Sequence, residues 1–396
     1  YIESAINNGA SRIVCREGSF SVPTVNVLDP RQWLEEALHE EYGSLIDEMT
    51  LIGVTGTNGK TTVCYLIYQA LNALGRPCGY IGTIGFYLDG KVRSLPNTSV
   101  DICDLYELLI EAHEKGFDTV ALEASSQGLA MGRLHTITFD IAVFTNLTED
   151  HLDYHINMEN YALAKQELFR RMKKNGKVLL NADDPARDYF DLPENDTYFY
   201  GFSGEGIFHC NEKVCSLVMP LLSISDYSFE GTPTFSCILD GEKYTGTCSL
   251  FGKYNLYNLS ACMGVLKLLG VEDKKIFEVL PSLETPDGRF KKLDTGTNSI
   301  IIDYAHTPDA VEKIIGCAHE MKAAHVYVVF GCTGDREREK RPVMTKLVLS
   351  NADYAIITDD DPHFEPEEQI FADMLEGNVY TNYEICADRR EAIKKG

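Results

Sequence analysis

The chain has 396 residues, a formal net charge of −24, 44% hydrophobic residues and 24% charged residues. That length allows two or three domains with sizeable cores, and the acidic balance argues against nucleic-acid or anionic-membrane partners, which most of this surface would repel. No uninterrupted apolar run approaches about 18 residues, so we predict no transmembrane helix and no membrane insertion.

The N-terminal residues are predicted to form the end of an α/β unit and a link to the next one. A helix from Ile2 to Asn8 is followed by Gly9 and by a strand at Arg12–Cys15. Residues 31–48 are predicted to form a linking helix.

A glycine-punctuated loop then stands between a predicted strand, Leu51–Thr55, and a predicted helix. Residues 53–62 read Gly-Val-Thr-Gly-Thr-Asn-Gly-Lys-Thr-Thr. In this context backbone N–H groups and the helix N-terminus bind phosphate, Lys60 reaches the terminal phosphates and the Thr61 hydroxyl suits Mg²⁺. Val54 stands where a strict P-loop has its first glycine, but the loop still predicts a protein that binds and uses ATP.

Strands and helices alternate from Leu51 to about Leu283, which predicts a parallel or mostly parallel sheet. The candidate strands are Leu51–Thr55, Asp118–Leu122, Ile141–Thr145 and Lys177–Asn181. An insert from about Tyr198 to Leu250 is predicted to be rich in β-strands. After a break near Pro281–Gly288, a second α/β segment is predicted with strands at Ser299–Tyr304, Val326–Phe330 and Ala355–Thr358.

Two strand ends in the central segment carry candidate metal ligands. Glu123 follows an apolar strand. A carboxylate at this position, beside a phosphate loop, is suited to hold Mg²⁺. The alternative is a solvated glutamate at the edge of the sheet. The apolar run at residues 143–145 passes into a segment that contains Asp150, His151, Asp153 and His155. His151 is the candidate ligand of a second metal, against the simpler role of a structural hydrogen bonder.

A helix predicted to open near Asn157 has a lysine in its apolar stripe. The apolar positions are Met158, Tyr161, Ala162, Leu168, Phe169 and Met172, and Lys165 falls among them. Such a lysine usually extends its head into water. If it cannot, burial lowers its pKa, and the neutral amine can react with CO₂ to give a carbamate, an anionic metal ligand.

The twelve cysteines are scattered, and the closest pair, Cys210 and Cys215, has no zinc-type spacing. We therefore predict reduced thiols and a cytoplasmic protein. The chain begins at Tyr1 and stops just after a helix start at Asp388, so we expect it to be a fragment of a longer protein.

Several ordered motifs along nearly the whole chain resemble those of the Mur ligases, ATP-dependent amide-forming enzymes of bacterial cell-wall synthesis. They are Thr55-Gly-Thr-Asn-Gly-Lys-Thr-Thr62, Glu123-Ala-Ser-Ser126, Thr145-Asn-Leu-Thr-Glu-Asp-His-Leu-Asp-Tyr-His155, Asn181-Ala-Asp-Asp184, Gly252-Lys-Tyr-Asn255 with Asn258, Gly288-Arg289, Asp303-Tyr-Ala-His-Thr-Pro308 and Gly331-Cys-Thr-Gly-Asp-Arg336 with Lys340-Arg-Pro342. Within the family the set most resembles the branch that adds a diamino acid, the third peptide residue, to UDP-N-acetylmuramoyl-L-alanyl-D-glutamate.

The resemblance implies an α/β protein of three domains. Residues 1–49 would be the remnant of a UDP-binding N-terminal domain and its linker, residues 50–290 a P-loop-containing central ATP-binding domain with a mostly parallel sheet, and residues 291–396 a truncated, Rossmann-like C-terminal domain that binds the amino acid. The sequence begins inside the first of these domains and ends before the family's Gly-Lys-Gly-His-Glu loop. We therefore predict weak catalysis by the chain as it stands. The expected partners are the two small-molecule substrates, and the expected state is a monomer.

The resemblance also implies site residues. ATP would be bound by Gly56, Thr57, Asn58, Gly59, Lys60, Thr61, Thr62, Asn255, Asn258, Arg289 and Asp303. Two Mg²⁺ sites would use Thr61, Glu123, His151 and Lys165, the last as a CO₂-derived carbamate, and the catalytic residues would be Lys60, Glu123, His151 and Lys165. The sugar nucleotide would be bound by Asn97, Thr98, Ser99, Ser125 and Arg133, and the amino acid by Arg336, Asp360, Asp361 and His363.

Two departures from the family bear on substrates. Met131 replaces a glutamine used on the sugar nucleotide, which predicts the loss of one hydrogen bond. The sequence Asp360-Asp-Pro-His363 stands where meso-diaminopimelate enzymes have Asp-Asn-Pro-Arg, whose arginine would pair with the distal carboxylate of the substrate. His363 is a weaker partner, and Asp361 favours a cationic end. We therefore predict L-lysine, or another dibasic amino acid such as ornithine, over the alternative, meso-diaminopimelate.

Two other functions compete with this interpretation. One is a folylpolyglutamate synthetase, against which the residues at 97–99 and 125–133 speak. The other is a non-catalytic nucleotide-binding relative, which the intact Lys60, Glu123, His151 and Lys165 disfavour. In the expected reaction, the substrate carboxylate attacks the γ-phosphate to give an acyl phosphate, which the incoming amine then attacks.

Overall fold

The computed structural model describes residues 1–210, 215–296 and 298–396. Residues 211–214 of the predicted β-rich insert lie outside the described residues, as do the side chains of Cys210 and Cys215. The N-terminal elements are α1 (Ile2–Asn7), β1 (Ile13–Cys15), β2 (Thr24–Asn26) and α2 (Pro30–Glu48). Strands β1 and β2 pair in parallel. Helix α2 begins at Pro30, one residue before the predicted start, and the Asp29 side chain accepts hydrogen bonds from the N–H groups of Arg31 and Gln32.

The central part of the chain is built around one large sheet. Its strands, with a separate hairpin of β11 and β12, are β3 (Thr50–Thr55), β4 (Cys78–Gly82), β5 (Gly85–Leu88), β6 (Lys91–Arg93), β7 (Thr119–Glu123), β8 (Phe139–Phe144), β9 (Met172–Asn181), β10 (Asp196–Gly201), β11 (Ile207–Cys210), β12 (Cys215–Val218), β13 (Leu222–Ser228), β14 (Thr234–Leu239) and β15 (Glu242–Thr247). Within the described residues the sheet has eleven strands in the order β15-β14-β13-β10-β9-β8-β3-β7-β4-β5-β6.

The middle of this sheet is parallel, and its two edges are antiparallel. Strand β3 pairs in parallel with β7 and β8, and β8 continues in parallel to β9 and β10. The edge pairs β4–β5, β5–β6, β13–β14 and β14–β15 are antiparallel. Strand β3 is buried from Leu51 onward because helices cover both of its faces, which explains its continuous apolar run.

Helices cover both faces of the sheet. They are α3 (Lys60–Ala73), α4 (Ile102–Glu114), α5 (Ser126–Ala130), α6 (Leu152–His155), α7 (Met158–Gln166), α8 (Lys253–Leu268) and α9 (Asp273–Val279), with short 3₁₀ turns at Pro185–Tyr189 and Leu280–Ser282. One core contains α3 and α8, and a second core on the opposite face contains α4. The parallel strands therefore bring their carboxyl ends, and the loops that follow them, to one edge of the sheet.

The C-terminal part has its own smaller core. Its elements are β16 (Lys291–Asp294), β17 (Ser299–Ile302), α10 (Pro308–Glu320), β18 (Tyr327–Phe330), α11 (Lys340–Asn351), β19 (Tyr354–Ile357), α12 (Glu367–Met374), β20 (Tyr383–Ile385) and α13 (Arg389–Lys395). Strands β18, β19 and β20 form a parallel sheet, and β16 and β17 form an antiparallel pair. None of the helices in the described ranges is both long and apolar enough to cross a membrane.

The predicted α/β fold class is confirmed, but several boundaries differ from the prediction: β9 begins at Met172 rather than Lys177, β17 ends at Ile302 rather than Tyr304, and the clearest error concerns α7. Helix α7 ends at Gln166, whereas the predicted apolar stripe continued to Met172. Leu168 and Phe169 are fully buried in the turn after the helix, and Met172 begins β9. The spacing of these apolar residues indicates that they are buried in the core. It does not indicate which element holds them, because a turn and a strand can bury residues as well as a helix can.

Candidate active site

The predicted phosphate loop joins β3 to α3 in a conformation that requires glycine. Gly56 and Gly59 have φ angles of +147° and +91°, in the region that side chains disfavour. A Cβ atom at Gly56 would collide with Thr145 Oγ1, and one at Gly59 would lie 2.5 Å from Asn258 Oδ1. Asn146 fixes the loop from outside: its Oδ1 accepts from Asn58 N, and its Nδ2 donates to Asn58 O, both at 2.9 Å.

Lys60 turns back over this loop. Its Nζ donates to the carbonyl oxygens of Gly56 and Thr57 at 3.0 and 2.9 Å. Burial lowers the pKa of Lys60, which the negative charge of Glu123 partly offsets. These two carbonyls therefore hold the ammonium group at the loop where the sequence predicts the phosphates of ATP.

Glu123 lies at the end of β7 and is only 1% exposed, which excludes the solvated-edge alternative. Its Oε1 accepts hydrogen bonds from Tyr80 OH at 2.5 Å and Thr83 N at 2.8 Å. Its Oε2 accepts from Thr61 Oγ1 at 2.9 Å and Thr83 Oγ1 at 3.2 Å. The carboxylate and the first threonine of helix α3 therefore lie side by side.

Lys165 is buried with a relative exposure of 1%, so it does not extend its head into water. Its Nζ donates to Gly56 O at 2.8 Å and lies 4.2 Å from the centroid of the Tyr161 ring. It forms no ion pair with an acidic side chain in the described part of the chain. Burial, and then the charge of Lys60, put the pKa of Lys165 well below its ordinary value. A buried amine with a lowered pKa is the form that can react with CO₂.

His151 lies near Lys165, at the start of the short helix α6. It has a left-handed backbone, with φ +54°, and its Nε2 is 3.5 Å from Asp150 Oδ2. Its ring meets Tyr161 edge-on at 6.3 Å. Burial lowers the pKa of His151, which favours the neutral imidazole that binds metals. His155 instead pairs with Ser126 Oγ at 3.0 Å, and burial lowers its pKa to about 4.

The Thr61–Glu123 pair fits Mg²⁺ in its chemistry. In proteins Mg²⁺ takes oxygen ligands, commonly one or two carboxylates together with substrate phosphates, rather than a cage made by the protein alone. Accordingly, no group of three or more His, Cys, Asp or Glu side chains in the described ranges is arranged as a metal site. The assignment of Thr61, Glu123, His151 and Lys165 as metal ligands stays a prediction.

A cavity of about 480 Å³ opens beside the loop, between the central and C-terminal parts. It is lined by Asn58, Gly59 and Thr62 of the loop region, by Asn255 and Asn258 of α8, and by Arg289 and Asp303. Tyr254 also lines it, and its buried hydroxyl has no hydrogen-bond partner among the described residues. An unpartnered buried hydroxyl in a cavity is available to a ligand. The cavity thus brings together predicted ATP-binding residues that are far apart in the sequence.

Arg289, at the end of the predicted central domain, and Asp303, in the C-terminal part, are both fixed by local contacts. Asp303 accepts a hydrogen bond from Phe290 N at 2.7 Å, and burial raises the pKa of this carboxyl. The guanidinium of Arg289 stacks over the Tyr304 ring at 4.6 Å. Both contacts fix side chains at the cavity wall.

Four of the five predicted sugar-nucleotide residues lie close to Glu123. Ser99 Oγ donates to Glu123 O at 2.9 Å and lies 3.0 Å from Ser125 Oγ, while Arg133 donates to Ser99 O at 2.7 Å. Thr98 Oγ1 is 3.0 Å from Thr83 Oγ1, and the fifth residue, Asn97, is exposed. The structure therefore places this set next to the candidate metal ligand, with Ser99 and Arg133 already engaged in internal hydrogen bonds.

The predicted amino-acid residues lie on two adjacent loops of the C-terminal part. Gly334 N donates to Asp361 O at 2.8 Å, and Thr333 Oγ1 donates to Asp360 Oδ2 at 3.1 Å, so the loops after β18 and β19 meet. His363 Nδ1 is 3.7 Å from Asp361 Oδ1. Arg336 is exposed, and its side chain forms no hydrogen bond or ion pair with any residue that the structure describes. Its guanidinium is therefore available to a carboxylate.

Sequence reasoning missed the side chains that fix these loops. Arg341, only 1% exposed, bonds Glu365, Asp373 and the carbonyl of Thr333, and so ties the two amino-acid loops to α12. The motif Lys340-Arg-Pro342 was the available signal, but it carries no information about a partner at position 365. Tyr80, which contacts Glu123, gave no signal because an aromatic residue in a strand usually means core packing.

Several hydrogen bonds cross between the central and C-terminal parts, among them Lys322 to Glu230, and two sets of them involve loops of the site. Asn58 Nδ2 donates to Asp309 Oδ2 at 3.1 Å. The backbone N–H groups of Leu152 and Asp153 donate to Glu337 Oε1 at 3.0 and 3.4 Å. Glu337 therefore caps α6 from the loop that carries Arg336.

Comparison with known families accounts for this arrangement. Residues 54–266 match the Mur ligase middle domain, and residues 288–396 match the family described as Mur ligase, glutamate ligase domain. A relative in Bacillus cereus, named UDP-N-acetylmuramoyl-L-alanyl-D-glutamate–2,6-diaminopimelate ligase, is 34% identical over 402 residues, covering 99% of this chain and 79% of its own. A relative of the same name in Halalkalibacterium halodurans is 36% identical over 402 residues, covering 100% and 80%.

Solved structures of Mur ligases superpose on this chain over nearly its whole length. A structure of a ligase with that name superposes with a TM-score of 0.69 at 30% identity, covering 99% of this chain and 80% of the other. A MurF ligase from Thermotoga maritima in complex with ADP superposes with a TM-score of 0.68 at 20% identity, covering 100% and 89%, and shows the shared fold. The chain therefore belongs to the Mur ligase family, and it is an ATP-dependent ligase of peptidoglycan synthesis that joins a carboxylic acid to an amino acid.

Proposed function

We propose that this chain carries the machinery that adds a diamino acid to UDP-N-acetylmuramoyl-L-alanyl-D-glutamate, and that the diamino acid is meso-diaminopimelate. The observation that supports the ligase site most strongly is the convergence of Lys60, Thr61, Glu123 and Lys165 on one loop. The relatives that match the whole chain at 34–36% identity carry the name of that reaction.

The prediction of L-lysine is not supported by these relatives, whose names favour the diaminopimelate alternative. The sequence argument used the missing arginine at position 363 and the extra carboxylate of Asp361, and it took both to favour a distal end with a positive charge alone. The distal end of meso-diaminopimelate carries both an ammonium and a carboxylate, and the chain presents both Asp361 and His363 there, 3.7 Å apart. We assign Asp361 to the ammonium, His363 to the distal carboxylate and Arg336 to the α-carboxylate.

The residues of the loop would act on ATP in the first half of the reaction. The substrate carboxylate attacks the γ-phosphate, ADP leaves and an acyl phosphate forms. Lys60 moves from the carbonyls of Gly56 and Thr57 to the phosphates and offsets the charge that develops on the transferring group. Two Mg²⁺ ions, held through Thr61, Glu123, His151 and a carbamate on Lys165, would add positive charge when bound. Arg289 and Asp303 would close over the nucleotide from the other side of the cavity.

The second half of the reaction would depend on the C-terminal loops. They hold the amine of the diamino acid for attack on the acyl phosphate, after which phosphate leaves. Contact between the central and C-terminal parts excludes water that would otherwise hydrolyse the acyl phosphate. The proposed site of action is the cytoplasm.

An assay of ADP release tests this function. The full-length protein is given ATP, Mg²⁺ and UDP-muramoyl dipeptide with meso-diaminopimelate, lysine or ornithine, and we expect the highest kcat/KM with meso-diaminopimelate. Preference for lysine or ornithine would contradict the assignment of the amino acid. Turnover only with tetrahydrofolate and glutamate would identify a folylpolyglutamate synthetase instead. ATP binding without ADP release in any mixture would indicate a non-catalytic relative.

The variant His363→Arg tests the amino-acid pocket. An arginine can bind the distal carboxylate through two charge-assisted hydrogen bonds, so we expect the kcat/KM ratio of meso-diaminopimelate to lysine to rise about tenfold. His325→Arg is the matched control, because His325 forms a surface pair with Asp353 at the same distance of 3.7 Å. An unchanged ratio in His363→Arg would mean that another residue sets the choice.

A further inference from the structure

The hydrogen bonds to Glu123 divide its two oxygens into different classes. Oε1 accepts from a backbone N–H, that of Thr83, and from the hydroxyl of Tyr80. Among the residues that the structure describes, Oε2 accepts hydrogen bonds only from the hydroxyls of Thr61 and Thr83. A threonine hydroxyl can rotate about its Cβ–Oγ bond and offer a lone pair instead of its proton, whereas a backbone N–H cannot.

Tyr80 is held in place almost as firmly as the backbone. Its side chain is fully buried, and its ring packs edge-on against Tyr65 at 6.2 Å and Tyr87 at 5.4 Å. A Cβ at Gly82 would lie 2.5 Å from the Tyr80 hydroxyl and would collide with Glu123 Oε1. The strand β4 therefore brings this hydroxyl to the carboxylate through a gap that only glycine leaves open.

The contact has the geometry of a strong hydrogen bond. The distance of 2.5 Å between Tyr80 OH and Glu123 Oε1 lies at the short end of the range for a hydroxyl donating to a carboxylate. The bond fixes the rotation of the carboxylate about its last dihedral, an angle that is otherwise broadly distributed. Fixing Oε1 also fixes Oε2, which faces Thr61.

We propose that Tyr80 is a positioning residue that holds Glu123 through Oε1 and so presents Oε2, with the Thr61 hydroxyl, to a divalent cation. The proposal rests on the metal role of Glu123 in the proposed function. Outer partners that orient a metal-binding side chain typically change metal affinity by about 10–100-fold when removed. Tyr80 would contribute to metal affinity without touching the metal or a substrate.

Binding of Mn²⁺ tests this role apart from turnover. Mn²⁺ affinity is measured by electron paramagnetic resonance in the presence of a saturating non-hydrolysable ATP analogue. We expect Tyr80→Phe to weaken Mn²⁺ binding about tenfold and to raise the half-saturating Mg²⁺ concentration for ADP release to a similar extent. At saturating Mg²⁺ its kcat should stay within about twofold of the wild type. Tyr87→Phe, in the same ring cluster, is the matched control and should bind Mn²⁺ like the wild type.

A third variant separates this proposal from the one on which it rests. Glu123→Gln should lose most Mn²⁺ binding; if it binds Mn²⁺ like the wild type, the metal role of Glu123 fails. If Glu123→Gln is defective while Tyr80→Phe is not, only the role of Tyr80 is overturned.

A structure of the wild-type protein with Mg²⁺ and the same analogue gives a test that does not depend on the folding of a variant. We expect Tyr80 OH to stay within about 3 Å of Oε1 while the cation lies on Oε2. A cation on Oε1, or a Tyr80 hydroxyl turned away from Glu123, would overturn the proposal.

Discussion

Lys165 has an environment that an ordinary lysine avoids. Its amine is buried against a backbone carbonyl, that of Gly56, and the face of Tyr161, without an acidic partner in the described ranges. Burying a charged amine without a partner costs free energy, and the amine responds by a lowered pKa. A carbamate would change its charge from positive to negative, and the charge of Lys60, which now disfavours the ammonium, would then stabilise the side chain. The unfavourable environment of the ammonium thus agrees with the predicted conversion of Lys165 to a carbamate.

The variant Lys165→Ala tests that role at the level of the single residue. We expect ADP release to fall by at least about 100-fold, with no recovery in added bicarbonate, because alanine cannot form a carbamate. The unfolding temperature should stay close to that of the wild type, because the variant removes a buried amine that has no acidic partner in the described ranges. Lys177→Ala is the control, because the Nζ of Lys177 also donates to a backbone carbonyl, that of Leu268, at 2.9 Å. Normal activity of Lys165→Ala would refute the metal-ligand role.

Individual residues differed in how well the sequence revealed them. Glu123 and Lys165 could be identified because each breaks a local pattern, a carboxylate at the end of an apolar strand and a cation in an apolar stripe. Tyr80 conforms to its local pattern, so its hydrogen bond to Glu123 could be found only when β4 and β7 were placed side by side. A polar contact made by the tip of an otherwise apolar side chain leaves no periodic signal.

Among the elements, α6 is the one that most depends on the rest of the molecule. It has four residues, Leu152–His155, which is too short to be stable alone, and it follows the left-handed His151. Its first N–H groups are capped by Glu337 of the C-terminal part rather than by its own N-cap side chain. The position of His151 is therefore coupled to the loop that carries Arg336.

The variant Glu337→Ala tests that coupling. Loss of a helix-capping acceptor typically costs about 0.5–2 kcal/mol, so we expect kcat/KM for the diamino acid to fall about tenfold. The affinity for ADP should stay the same, because Glu337 does not line the nucleotide cavity. Glu339→Ala, on an exposed neighbour, should resemble the wild type. An unchanged kcat/KM, or a loss confined to ADP affinity, would contradict the coupling.

The elements also show where sequence reasoning stops. The start of α2 was predictable because Asp29 and Pro30 carry the chemistry of a helix start. The end of α7 was not, because Leu168 and Phe169 continue the apolar spacing through the turn that follows. Such spacing arises from burial in a shared core. The spacing therefore does not distinguish a helix from the turn and strand that follow the helix.

At the scale of the whole molecule, the cavity wall carries both signs of charge, with Asp183, Asp184, Asp303 and Glu320 beside Lys253, Arg289 and Lys313. The chain carries a net charge of −24, yet Lys60, Lys165 and Arg289 converge at or near one cavity. The cations and the helix N-terminus at Gly59 suit an anion as highly charged as a triphosphate. The cavity is lined from both the central and C-terminal parts, so we expect nucleotide binding there to depend on their contact.

The most direct test of the account is a crystal structure of the protein with Mg²⁺ and a non-hydrolysable ATP analogue. We expect the base in the cavity beside Asn255 and Asn258 and the triphosphate along residues 56–62. We also expect Lys60 Nζ to have moved from the carbonyls of Gly56 and Thr57 to a phosphate oxygen. An analogue bound elsewhere, or a Lys60 that keeps both carbonyl contacts while the analogue occupies the cavity, would contradict the account.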